Sequence, residues 1–282
     1  MLKVELHTHT ADDPVDRIPH TVKELIDRAA NLGYAALAIT LHERQLDPAP
    51  FREYAADRGI VLIAGVERSI AGRHVLLLNF RRGTDSLETF DDLARLRERE
   101  PGLVIAPHPY FPAPSCLRSY LDRYASLFDA VERNAMFTPS VDFNVRAERW
   151  AARNGKPVVG NCDVHRLWQL GTTYSLVDAA PDPDAICSAI AAGRVRVESR
   201  PLTWPEATHT LATMFWSDIV PKRRLQSLAL RDDSTSTSAD PSEPGRPIAL
   251  PSDPRLKPSR MVPLAVTRAP FRGTPRSETT QS

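Results

Sequence analysis

What most limits the folds open to this chain is an alternation. Short apolar or β-branched runs at 3–7, 35–40, 61–65, 103–106, 129–131, 157–160 and 194–198 are separated by amphipathic stretches. Strands alternating with helices in this way indicate βα units on a parallel sheet. The helical stretches are 21–32, 51–58, 87–100, 116–128, 141–154 and 183–192. The first places Val22, Leu25, Ile26 and Ala29 on one face and ends at Gly33, a C-terminal stop signal. A further strand is expected over 74–79, returning from the third unit. About seven units in roughly 200 residues suit a closed or distorted barrel better than an open doubly wound sheet. No GxGxxG or GxxxxGK[ST] follows the first strand, so the common nucleotide cradles are missing.

Beyond the barrel, assigned to 1–200, an extension over 201–230 carries Leu211, Met214, Phe215, Trp216 and Ile219 at helical spacing. It reads as a helix packing on the barrel or on a second subunit. Nine of the 25 prolines fall in 231–282, where apolar periodicity stops, so this stretch reads as a disordered Pro-rich tail. A formal net charge of +1 argues against a polybasic membrane binder or a nucleic-acid coat. No apolar run approaches the ~18 residues that span a bilayer. Three widely spaced cysteines, Cys116, Cys162 and Cys187, form neither a disulfide framework nor a CxxC pair, and the expected compartment is the reducing cytoplasm.

The histidines carry the chemistry. His7 and His9 close the first strand two residues apart, a spacing that points both imidazoles the same way. His42 follows the second strand, Glu67 the third with His74 a short loop later, and His108 the next. Asp163 and His165, again two apart, follow 157–160. Strand carboxyl ends are where barrels build their sites. Imidazole and carboxylate together suit Zn, Mn and Fe, and this many donors indicate more than one ion. His20 and His209 lie outside the pattern; His20 is expected to cap the first helix, and His209 to be a surface or packing residue.

Four segments resemble the PHP (polymerase and histidinol phosphatase) superfamily of metal-dependent phosphoesterases. They are Glu5-Leu6-His7-Thr8-His9-Thr10, Leu37-Ala38-Ile39-Thr40-Leu41-His42, Gly65-Val66-Glu67 with His74-Val75-Leu76, and Gly160-Asn161-Cys162-Asp163-Val164-His165, joined by His108-Pro109. The resemblance implies a distorted (β/α)7 TIM-like barrel with two or three divalent ions at its carboxyl end. It implies His7, His9, His42, Glu67, His74, His108, Asp163 and His165 as ligands, with Glu67 bridging. A further ligand is expected from Asp13, or else Asp16, within Asp12-Asp13-Pro14-Val15-Asp16. Leu41 stands where relatives carry an aspartate.

Such ions supply a metal-bridged hydroxide and hold phosphate oxygens, so no protein nucleophile is needed. Arg44, Arg68, Arg133 and Arg166 lie close to motif residues or strand ends and are candidates for clamping the phosphate. The expected activity is hydrolysis of a small phosphomonoester or nucleotide. A nuclease-like phosphodiesterase acting on nucleic-acid ends is the alternative, and a non-catalytic metal-binding scaffold is a third reading resting on Leu41.

Overall fold

The computed structural model describes residues 1–219. The expected tail, 231–282, and the end of the extension lie outside the described residues. The seven strands expected from sequence are all present: β1 (Leu2–Glu5), β2 (Ala36–Ile39), β3 (Val61–Ile70), β5 (Leu103–Ala106), β6 (Ala130–Asn134), β7 (Val158–Asn161) and β9 (Val195–Ser199). Two more complete a nine-stranded sheet, β4 (Arg73–Leu78), also expected, and β8 (Thr173–Val177), which was not. In the order β7-β6-β5-β4-β3-β2-β1-β8-β9, β4 runs against both β3 and β5, and β8 against both β1 and β9. The seven expected strands therefore share one direction.

The helices follow local chemistry. In α1 (Val22–Asn31) the N-cap is Thr21, reciprocally bonded with Glu24, and not His20 as the sequence suggested. Thr89 and Asp92 make the same box for α3 (Phe90–Arg99), which starts that helix three residues later than expected. α2 (Arg52–Ala56) is short, and the stretch 116–128 yields only α4 (Ser119–Arg123) and a 3-10 turn, Ala125–Leu127. Arg118, at φ 49°, interrupts the helix there. Gly155, left-handed at φ 62°, ends α5 (Asn144–Asn154). α6 (Pro183–Ala191) and α7 (Trp204–Ile219) complete the set.

A single apolar cluster draws Val4, Ala38, Ile63, Leu78, Ile105, Ala130, Val159 and Val177 from eight strands, and Ile186, Ala189 and Ile190 from α6. One cluster can collect residues from so many strands only if the sheet curls around it. α6 packs on β3, β5 and β8, which are not sheet neighbours, so it plugs one barrel end. It follows β8, whose Val177 pairs with Leu2 at the start of β1, so the plugged end is the amino end of the parallel strands.

The opposite end closes differently. Beyond β1 and β7 the chain pairs directly: His9 N donates to Val164 O (3.0 Å) and Val164 N to His7 O (3.1 Å). Lower down, β8 occupies the gap between β1 and β7, and Ser175 Oγ accepts from Gly160 N (2.8 Å) and donates to Gly160 O (3.2 Å). This closure brings His7 and His9 alongside Asp163 and His165.

Candidate metal centre

Glu67, 1 % exposed, is the hub of the carboxyl end. Its Oε2 lies 3.1 Å from His7 Nε2, 3.4 Å from His9 Nε2 and 3.2 Å from His42 Nε2. Its Oε1 lies 2.7 Å from His74 Nδ1 and 3.2 Å from His108 Nε2. Asp163 Oδ1 approaches the same point, 3.3 Å from His7 Nε2, 3.5 Å from His9 Nε2 and 3.4 Å from His165 Nδ1. Donor atoms of His7, His9, Glu67 and Asp163 all fall within 4.8 Å of one another, as do those of His42, Glu67 and His74. Two of these residues hold left-handed backbone, His108 at φ 28° and Asp163 at φ 54°. Non-glycine residues take such conformations at a cost of about 1–3 kcal/mol, which surrounding structure must offset.

The opposite faces of the imidazoles are pinned. Asp13 Oδ2 accepts from His42 N (2.9 Å) and sits 3.0 Å from both His9 Nδ1 and His42 Nδ1, while its Oδ1 accepts from Val15 N and Asp16 N. Both candidate aspartates of that segment therefore reach the site: Asp16 Oδ2 lies 2.9 Å from His165 Nε2. Glu132, fully buried on β6, was missed from sequence; its Oε1 lies 3.0 Å from His7 Nδ1 and its Oε2 accepts from His108 N (2.7 Å). Glu5, also missed and fully buried, accepts from Cys162 N at 3.0 Å. Leu41 packs with Val22, Leu25 and Val164 in the α1 cluster, and the acidic oxygen beside His42 comes from Asp13.

Charges in the cluster are mutually arranged. Burial opposes protonation of His9, yet its hydrogen bond to Asp13 and the nearby carboxylates of Asp163 and Glu67 raise its pKa to about 10. Burial likewise opposes charge on His7, but Asp163, Glu67 and Glu132 hold its pKa well above the ordinary value. Against the same burial, His74 and His7 hold the Glu67 carboxyl well below its usual range, and His7 and His165 do so for Asp163. Glu5 goes the other way: burial lifts it to about 8.

The four arginines expected as a phosphate clamp are engaged elsewhere in this structure. Arg44 is exposed and donates to Asp12 O. Arg68 pairs with Glu43 (2.6 Å), Arg133 with Glu148 and Asp142, and Arg166 donates to Arg17 O and His165 O. None of the four lines the cavity of about 260 Å³ that opens over the centre. His20 is buried at 3 % exposure, and His209 is exposed with its ring 4.8 Å from that of Trp168.

No curated protein matches the sequence significantly. A family described as PHP-associated matches residues 142–195, from just before α5 into β9 and including Asp163 and His165. Among solved structures, the chain is similar to a two-domain protein of Bacteroides vulgatus containing a predicted PHP-like metal-dependent phosphoesterase. Identity is 18 % and the TM-score 0.56, over 71 % of this chain; the match spans 65 % of that one. It is also similar to PsfC of Pseudomonas syringae, at 18 % identity and TM-score 0.52, over 77 % of this chain and 98 % of that one. In the matched segment and in its fold, the chain is similar to PHP-like proteins.

Proposed function

We propose that the chain hydrolyses phosphate monoesters with two or three divalent ions, Mn, Fe or Zn. The observation that carries this reading is a set of orphaned atoms. His9 Nε2, His74 Nδ1 and Asp163 Oδ1 are buried and lack any hydrogen-bond partner, although all converge on the Glu67 hub. Buried polar atoms are rarely left unpaired, and these are imidazole and carboxylate atoms, the ligand types that bind such ions, in two donor groups that share Glu67. The residues fit hard or borderline cations. His7, His9, Glu67 and Asp163 would hold one, with His42, His74, His108 and His165 completing the others. The PHP-like neighbour supports the same class.

Ions bound there would make a water nucleophilic near neutral pH and neutralise phosphate oxygens. The chain's own contribution is to hold the ligands ready. Asp13 keeps protons on His9 Nδ1 and His42 Nδ1, and Glu132 keeps one on His7 Nδ1, so that each Nε2 faces the centre as an acceptor. Leu41, packed elsewhere, takes nothing from this set. No helix among the described residues is long and apolar enough to cross a membrane. The three buried, unpaired cysteines support a cytoplasmic location.

Metal-stripped protein reloaded with Mn, Fe or Zn tests the proposal. It should take up at least two ions per chain and turn over phosphomonoesters. Asp163→Asn should cut turnover by 100-fold or more while the far-UV spectrum is unchanged. Uptake of less than one ion by folded protein, or full activity in Asp163→Asn, would overturn the reading.

A further inference from the structure

The cavity has two unlike walls. One carries the ligand cluster, with His42, Glu67, His74, His108, Asp163 and His165 all lining it. The other is built by Phe111, Met136, Trp168 and Leu202, from the loops after β5, β6 and β7 and the segment leading into α7. Two of them, Phe111 and Leu202, have close neighbours that hold them. Phe111 lies between His108 and Phe143, with ring centroids at 6.3 and 5.3 Å. Leu202 is 6 % exposed and its N–H donates to Phe137 O (2.8 Å).

Charge and hydrogen-bonding capacity narrow what can sit there. Apart from histidine, the charged residues among the described lining are Asp16, Glu67, Asp163 and Glu206, all carboxylates. Glu206, at the mouth, is already gripped by Arg200 through contacts of 2.8 and 3.0 Å. A phosphate can be met by the ions, but a second anionic group would be desolvated against acids with no cation to receive it. Much of the polar lining is engaged as well. Gln169 Oε1 accepts from His165 N and Arg166 N, Asn134 Oδ1 from Met136 N, and Thr210 Oγ1 donates to Glu206 O. A polyhydroxylated alcohol would find few open partners. An apolar one would gain the aromatic and thioether wall. At about 260 Å³ the space is at or below the small end of ligand pockets.

We infer that the substrate is a phosphate monoester of a compact, uncharged, apolar alcohol of about one aromatic ring, and that bisphosphates, nucleotides and sugar phosphates are poor substrates. This rests on the phosphoesterase reading and specifies its substrate. The hydrolysis balances simply: the oxygen of one water joins phosphorus, the ester P–O bond breaks, and the alcohol leaves with a proton from that water.

Two esters with alkyl leaving groups separate recognition from leaving-group chemistry. On Mn-reloaded full-length protein, benzyl phosphate should show a kcat/KM at least tenfold above glycerol 2-phosphate, although its alcohol is no better a leaving group. Non-hydrolysable benzylphosphonate should bind at least tenfold tighter than 2,3-dihydroxypropylphosphonate in calorimetry. Trp168→Ala and Met136→Ala should each raise KM for benzyl phosphate about tenfold and leave glycerol 2-phosphate within twofold. Turnover that favours glycerol 2-phosphate, fructose 1,6-bisphosphate or 5′-AMP, or indifference to both wall substitutions, overturns the inference and leaves the phosphoesterase reading standing. No turnover of any ester by fully metal-loaded protein overturns both.

Discussion

Glu132 gives the hardest test of how the centre is organised, because the structure assigns each of its oxygens one task. Oε1 faces His7 Nδ1 at 3.0 Å and Oε2 accepts from His108 N at 2.7 Å, with the side chain fully buried. Glu132→Gln keeps the shape but leaves one oxygen and one NH2. The backbone N–H of His108 can only donate, so the amide oxygen must face it. The NH2 then meets His7 Nδ1, which can accept only if the imidazole proton moves to Nε2. That atom is 3.1 Å from Glu67 Oε2 and 3.3 Å from Asp163 Oδ1, where an ion requires a lone pair. Turning the amide over instead sets two donors against each other at His108, a penalty of about 1–3 kcal/mol.

Both routes lead to the same magnitude. Loss of a carboxylate that orients a ligating histidine weakens metal binding about 10- to 100-fold, or roughly 1.4–2.8 kcal/mol at 1.4 kcal/mol per decade. The assay is competition for Mn or Zn against a chelating indicator on stripped wild-type and variant protein. Thermal unfolding of the metal-free forms should show that both are folded, with the variant lower by several degrees. An affinity within twofold of wild type, in a folded variant, would refute the argument that Glu132 sets the His7 tautomer.

Two further outcomes follow from burial. Glu5, raised to about 8 by burial, keeps its proton in the fold while an unfolded chain loses it near 4.5, so its contribution is complete below pH 4.5 and is lost as pH rises towards 8. Glu5→Gln preserves an acceptor for Cys162 N, so in urea unfolding of metal-free protein it should gain on wild type by about 1.4 kcal/mol per pH unit across that window; parallel stabilities would contradict it. Gly160→Ala would put a Cβ 2.6 Å from Val197 Cγ1 and 2.9 Å from the backbone Tyr174 O, where the barrel closes. It should cost about 1–3 kcal/mol, read as a melting temperature lower by several degrees; no change would mean that the closure is looser than drawn.

How much of this was legible in the sequence depended on what each residue hides. Parallel strands such as β2 and β5 could be read because their apolar runs are buried on both faces. β8 could not. Its burial alternates, and two of the three buried positions are polar, Thr173 and Ser175, so its pattern reads as a solvated loop. The hydroxyls belong inside because Ser175 bonds the Gly160 backbone and Thr173 Oγ1 bonds Ser199 Oγ at 2.8 Å. The choice between Asp13 and Asp16 was unreadable for a related reason. Asp13 Oδ1 accepts from both Val15 N and Asp16 N, folding the loop so that both carboxylates arrive.

Histidines and acids differ in how much their position reveals. Eight histidines in 282 residues make six that follow strand ends or the adjoining loop hard to ignore, whereas 35 acidic residues make any one of them ordinary. An acid becomes informative only when it is buried, and here burial depends on closure. Glu132 lay one residue beyond the expected end of its strand, and Glu5 stood two before His7, both in plain view and without a distinguishing mark. The arginines differ again: Arg68 and Arg133 sit beside the motifs in sequence, and each is paired with acid, Glu43 for one, Asp142 and Glu148 for the other. A guanidinium already held by such partners would have to break those pairs to reach a phosphate. Charge at this site is therefore balanced between buried acids, imidazoles and the ions they would hold, with the arginines outside that balance.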